Sequence, residues 1–138
     1  MVIAKEFSLN TQGDTDIIDI TAKVAAELNK AKLKNGIVNI SVVGSTAAIT
    51  TCEYEDGLVS DLKEIFEKII PKSKSYHHDT TWGDANGYAH LRSTLLGTTK
   101  TFSFCDGKLI LGTWQQIILL DFDNRPRTRR VHLQFIGE

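Results

Sequence analysis

The chain has 138 residues, 41% hydrophobic and 24% charged, enough for one domain with its own core and no need of disulfide or metal staples. Sixteen lysines and arginines face seventeen aspartates and glutamates, so no global basic excess points to nucleic acid. No apolar run nears the roughly 20 residues that span a bilayer. Met1-Val-Ile-Ala-Lys-Glu lacks the basic start and apolar run of a signal peptide, and Cys52 and Cys105 form no CxxC pair. These features together predict a cytoplasmic protein with free thiols and no membrane association.

The elements follow in chain order. "VIAKEFSL" alternates apolar and polar side chains and predicts a half-buried strand. "TDIIDI" leads into "TAKVAAELNKAKLKNG", a helix with Thr21 as N-cap, Val24, Leu28 and Ala31 at helical spacing, and Gly36 as its stop. "IVNISVV" is a β-branched strand broken at Gly44, and "AAITTCEYE" reads as the next. "DGLVSDLKEIFEKIIP" predicts a helix with Asp56 as N-cap, a stripe of Leu58, Leu62, Ile65, Phe66 and Ile69, and Pro71 as its end. A polar loop, "YHHDTTWGDANGYAH", follows. Its end merges into a short helix, "NGYAHLRSTLLG", with Leu91 and Leu95 facing inward, Tyr88 a further candidate, and Gly97 closing it. "TKTFSF", "KLILG", "TWQQIILLDF" and "RRVHLQFIG" are strands, with Asp106-Gly107 a hairpin turn and Trp114 packed inside its apolar run. The order predicts one α+β domain over residues 1–138, with mixed or antiparallel sheets and two main helices. So many strands leave edges to cover, and oligomerisation is one way to cover them.

Chemistry concentrates in the loop, where three of the four histidines fall within fifteen residues: His77, His78 and His90. Neighbouring residues of an extended segment point to opposite faces, so one of His77 and His78 is expected to pair with His90. Neutral imidazoles ligate zinc and similar ions, and Asp79 or Glu53 could complete the set; the competing reading is a polar surface loop. Glu53, ending a strand at an edge, reads as a ligand or a general base, and Glu55 as a solvated neighbour. "GSTAAITT" sets Gly44, Ser45 and Thr46 where a phosphate could meet main-chain N–H groups, though without a phosphate-loop motif a plain turn is the stronger reading. In "NRPRTRRV", Arg127 and Arg129 share a strand face, suited either to phosphate or to a solvated edge or a subunit contact with nearby Asp121 and Asp123.

Three segments, "GSTAAITTCEYEDGLVSDL", "HDTTWGDANGYAHLRSTLLG" and "DGKLILGTWQQIILLDFDNRPRTRRVHLQFIGE", resemble the YjbQ-like family over essentially the whole chain. The resemblance implies a compact homotrimer with a polar pocket near the subunit contacts and thiamine-phosphate synthase activity, the family's secondary function. That reaction joins a pyrimidine methyl diphosphate to a thiazole phosphate and releases pyrophosphate. A divalent metal ion, zinc or magnesium, would neutralise the leaving group. By the same resemblance Glu53, His78, Asp79 and His90 are the catalytic candidates, with His78 and His90 as metal ligands. Trp82, Asn86, Arg92, Gln115 and Arg127 are the candidates for holding substrate, with Trp82 stacking on the pyrimidine and Arg92 and Arg127 on phosphate. The alternative is a non-catalytic trimer that binds a metal or a phosphorylated metabolite. One departure stands out: many members carry a histidine where this chain has Gly44, which implies fewer protein ligands, Glu53 recruited instead, or no tightly bound metal.

Overall fold

The computed structural model describes residues 1–138. Eight strands and four helices follow in the order β1 (Val2–Thr11), β2 (Asp16–Asp19), α1 (Thr21–Ala31), β3 (Gly36–Val42), β4 (Ala47–Glu53), α2 (Asp56–Ile69), α3 (His77–Trp82), α4 (Gly87–Leu96), β5 (Thr99–Cys105), β6 (Lys108–Leu109), β7 (Gln115–Asp121) and β8 (Arg127–Gly137). The strands form a five-stranded sheet, β1-β8-β3-β5-β6, and a three-stranded sheet, β2-β7-β4. Every pairing is antiparallel. The fold is therefore α+β, as the element order predicts, and no helix is long and apolar enough to cross a membrane.

Period-two alternation sorts the side chains. In β3 and β8, Val38, Ile40, Val42, Val131, Leu133 and Phe135 turn inward and meet Ile117 and Leu119 of β7 and Val24 and Leu28 of α1. The intervening residues Asn39, Ser41, Thr128, Arg130 and Gln134 face out, so the five-stranded sheet is buried on one side only. Strand β7 differs: its alternate residues Ile118 and Leu120 enter a second core with Ala48, Phe66 of α2, and Tyr88 and Ala89 of α4. That two-sided burial explains the unbroken "IILL" run, which cannot alternate because neither face meets water. The result is three layers, with the small sheet in the middle.

Several local expectations are corrected. Helix α1 ends at Lys32, which takes the left-handed conformation (φ 57), so Gly36 opens β3 instead of closing the helix. The N-cap of α2 is Glu55, whose carboxylate accepts from the N–H groups of Gly57 and Leu58; Asp56 is the first helical residue. The buried face of α2 runs through Val59, Leu62, Phe66 and Ile70, while Ile65 and Ile69 are exposed. Leu91 and Leu95 also face outward, because Tyr88, Ala89, Arg92 and Ser93 form the inward face of α4. Trp114 lies in the turn before β7, closed by Gln115 N–H donating to the Gly112 carbonyl, and is 72% exposed. Its side chain contributes nothing to either core. Asp106-Gly107 does form the β5–β6 turn, both residues at positive φ.

Candidate functional site

The loop expected between α2 and α4 contains the six-residue helix α3, and its packing against α4 builds the site. Asp79 fastens the two together: one carboxylate oxygen accepts from Tyr76 N–H at 3.0 Å, the other from Gly87 N–H at 2.8 Å. Those two main-chain donors hold its carboxyl below the usual carboxylate range. Residue 87 must be glycine, since a Cβ there would stand 2.8 Å from Tyr76 Cβ and 3.3 Å from His78 Cβ. With the helices this close, the His78 and His90 rings meet at 4.3 Å between centroids, tilted by 41°. His77 is exposed on the outer side of α3 and takes no part. His78 is thus the partner of His90, and helical turning, not strand alternation, separates the two neighbouring imidazoles.

Around the pair the polar atoms are mostly acceptors. His78 Nδ1 is sealed from solvent without a hydrogen-bond partner, 3.6 Å from Asp84 Oδ1 and 3.9 Å from Asp79 Oδ1. Single ligand atoms of His78, Asp79 and Asp84 all fall within 4.8 Å of one another. Asn86 donates its amide to Asp123 Oδ1 at 3.2 Å, leaving its own Oδ1 buried and unpartnered. Burial, reinforced by the neighbouring His78 ring, holds the His90 imidazole below the ordinary histidine range, so it is neutral at pH 7 with a lone pair to offer. Unpartnered lone pairs beside carboxylates form a donor set that fits a cation. Mixed imidazole and carboxylate ligands suit zinc or a similar transition ion better than magnesium, which prefers all-oxygen sites.

A second polar cluster supports the first from below. Asp121 and Asp123, both 0% exposed, stand at the end of β7. Asp121 accepts from Arg129 Nε and Nη2, each at 2.7 Å, and from Thr11 Oγ1 at 2.5 Å. Asp123 accepts from Arg127 Nε at 2.8 Å, Thr46 Oγ1 at 3.2 Å and Asn124 N–H at 2.8 Å. Burial pushes the Asp123 carboxyl up, yet Arg127, Asn124 and Asn86 outweigh it and hold the group below the usual carboxylate range. Asp121-x-Asp123 and Arg127-x-Arg129 therefore pair two by two and join the two sheets at one corner.

The other candidates divide. Arg127 is paired to Asp123 and so aims at a buried acid, though it stays a third exposed. Arg92 is buried among Tyr88, Phe66 and Phe122. Its guanidinium donates to the Ile70 carbonyl, Thr15 Oγ1 and Glu67 Oε2, which makes it a core fastener. Trp82 ends α3 at 73% exposure. Glu53 and Gln115 pair with each other in register at the far end of the small sheet. His90 faces the Ser45 main chain at the near end of β4, so about 20 Å of strand separates Glu53 and Gln115 from the histidines within one protomer. Asp84 and the acids of β7 were missing from the sequence-derived site. The signal for the latter was there: two acids at strand spacing where the apolar "IILL" run ends, and two arginines at the same spacing where the next strand begins.

The family model described as UPF0047 protein YjbQ-like matches residues 5–138. A UPF0047 protein of Archaeoglobus fulgidus is 42% identical over 126 residues, covering 91% of this chain and 95% of that protein. Another, from Methanothermobacter thermautotrophicus, is 36% identical over 137 residues, or 99% of this chain and 94% of its own length. Among solved structures, a YbjQ-like protein of unknown function from Sulfolobus solfataricus superposes with a TM-score of 0.94 at 35% identity, covering 100% of this chain and 99% of the other. A hypothetical protein from Aeropyrum pernix gives 0.92 at 30% identity, covering 99% of each chain. With the fold, the motifs and full-length relatives in agreement, the chain belongs to the UPF0047 YjbQ-like family.

Proposed function

We propose that this protein is a metal-dependent enzyme acting on a phosphorylated metabolite, with His78, Asp84 and His90 at its centre and thiamine-phosphate synthase-like transfer as the reaction class. The observation that carries this reading is the sealed, unpartnered Nδ1 of His78 facing two carboxylates beside a second, neutral imidazole. His78, Asp84 and His90 would hold a divalent ion, with the Asn86 carbonyl oxygen available to it. A bound ion would supply Lewis-acid neutralisation of charge on a leaving diphosphate. Asp79 positions the two helices, and Asp123 orients Asn86 through its amide.

A homotrimer is part of this proposal. Trp114, Ile110, Leu95 and Trp82 are large apolar side chains between 61% and 73% exposed, which a subunit contact would cover. Glu53 and Gln115 could then reach a neighbour's histidines, a head-to-tail arrangement that a closed ring permits. Unpaired Cys52 and Cys105 support a reducing, cytoplasmic setting.

The second reading is a non-catalytic trimer that binds a metal or metabolite. It draws support from Arg92 and Arg127, since both phosphate candidates are engaged by Glu67 and Asp123.

Elemental analysis of untagged wild type and the His78→Ala/His90→Ala double variant tests the metal. We expect one equivalent per chain in wild type, loss in the variant, and unchanged folding. Wild type that takes up no transition ion even after incubation with excess zinc would overturn the centre. Product accumulating well beyond one equivalent per site would support the enzyme; saturable binding without product would support the binder.

A further inference from the structure

The β3–β4 connection uncovers a cation that the sheet corner otherwise buries. Arg129 is only 6% exposed, and its Nε and Nη2 are committed to Asp121 and to Thr46 Oγ1 at 2.6 to 2.7 Å. Its remaining terminal nitrogen, Nη1, donates to no protein group. Gly44 lies directly over that nitrogen and is itself exposed: a Cβ at position 44 would stand 2.8 Å from Arg129 Nη1. Any side chain there would cover the guanidinium edge, and glycine leaves it open.

Gly44 also lines a cleft of about 300 Å³ with Ser45, Ser93, Thr94, Gly97 and Thr98, a wall without an apolar or acidic side chain. The second glycine repeats the pattern, since Lys100 Nζ lies 3.4 Å from where a Cβ on Gly97 would be. Lys100 donates to the Leu96 carbonyl at 3.0 Å, offsetting the negative end of α4 that would otherwise repel an anion. Ser93 and Thr94 spend their hydroxyl protons on the Ala47 and His90 carbonyls. The Ser45 and Thr98 hydroxyls make no hydrogen bond within the protein and are free to donate.

We propose that this cleft binds an oxyanion, the phosphate of a phosphomonoester, with Arg129 Nη1, Lys100 Nζ and the Ser45 and Thr98 hydroxyls as donors. Two cations of different reach and two free hydroxyls around one cleft match the several acceptors of a phosphate better than a single carboxylate. The His90 ring faces the Ser45 main chain, so the anchored phosphate lies next to the histidine pair. Only the identity of the ligand rests on the phosphorylated-metabolite reading above; the anion site stands on its own geometry.

Isothermal titration with inorganic phosphate, in the presence of a chelator, tests the site in wild type, Gly44→Ala and Lys100→Glu. Circular dichroism and melting confirm that each variant is folded. We expect saturable binding to metal-free wild type, weakened about tenfold or more in each variant, with metal uptake unchanged. Equal affinity in wild type and Lys100→Glu would overturn the proposal even if Gly44→Ala failed to fold. Binding that returns only with added zinc would place the anion on the metal, overturning this cleft while leaving the metal centre intact. Variant-sensitive phosphate binding in a protein that takes up no metal would do the reverse. Phenyl phosphate should compete for the same site; failure to compete would overturn the monoester assignment.

Discussion

Replacing Asp121 by asparagine keeps the shape of the sheet corner and removes one charge from a buried pair. Asp121 is 0% exposed and Arg129 6%, and the carboxylate takes two charge-assisted bonds of 2.7 Å from that guanidinium. Without the carboxylate, Arg129 is left against Asp123 Oδ2 at 4.0 Å as its nearest acid, so most of its buried charge is uncompensated. Breaking such a pair costs about 3–5 kcal/mol. For 138 residues the entropy of unfolding is roughly 0.3 kcal/mol per kelvin, so the melting temperature should fall by about 10–17 °C. The assay is thermal and urea unfolding at one protomer concentration, with Glu6→Ala as the control. Glu6 pairs with Arg130 on the solvated face, both partners well exposed, and that change should cost under about 1 kcal/mol. Asp121→Asn and Glu6→Ala melting within about 3 °C of each other would refute the reasoning.

Two further outcomes are expected. Trp114→Ala should leave the stability of the folded protomer within about 0.5 kcal/mol of wild type, because the ring is 72% exposed. The same variant should shift gel filtration toward smaller species if the ring lies in a subunit contact; a severe loss of folding would show that it packs elsewhere. Tyr88→Phe should be neutral or stabilising by up to about 1 kcal/mol, because the hydroxyl it removes is buried without a hydrogen-bond partner. Burial pushes that phenol up to about 12, and the Asp14 carboxylate, the nearest acid to the hydroxyl, adds to the shift. A drop in urea midpoint for Tyr88→Phe would reveal a partner for the hydroxyl.

Much of the architecture was legible because strand signals are local. The alternation in β1, the β-branched run of β3, the Asp106-Gly107 turn and the Gly97 stop each depend on a few adjacent residues. What failed depended on distant partners. In α2, Ile65 and Ile69 continue the apolar spacing but find no layer above them, and the spacing itself carries no mark of that. Helix α3 has too few turns to show a period. At the site, the choice of His78 over His77 agrees with the geometry, because family resemblance compares whole segments. Arg92 and Arg127 looked like free anion holders because Glu67 and Asp123, which engage them, are brought in by tertiary packing. Glu53 and Gln115 looked like neighbours of the histidines because nothing local records that β4 runs its full length away from them.

Strand β7 ties the two cores to one fate. Ile117 and Leu119 belong to the core between the sheets, and Ile118 and Leu120 to the core beneath the helices. Peeling α2 and α4 away would wet one side of the strand, and losing the large sheet would wet the other. Neither half can therefore serve as an independent folding unit, and the main-chain amides of β7, bonded to β2 and β4, exchange only when the small sheet itself opens. The histidine pair rides on α3 and α4, the layer nearest solvent, so the elements that carry the chemistry can loosen locally while the strand beneath them stays closed.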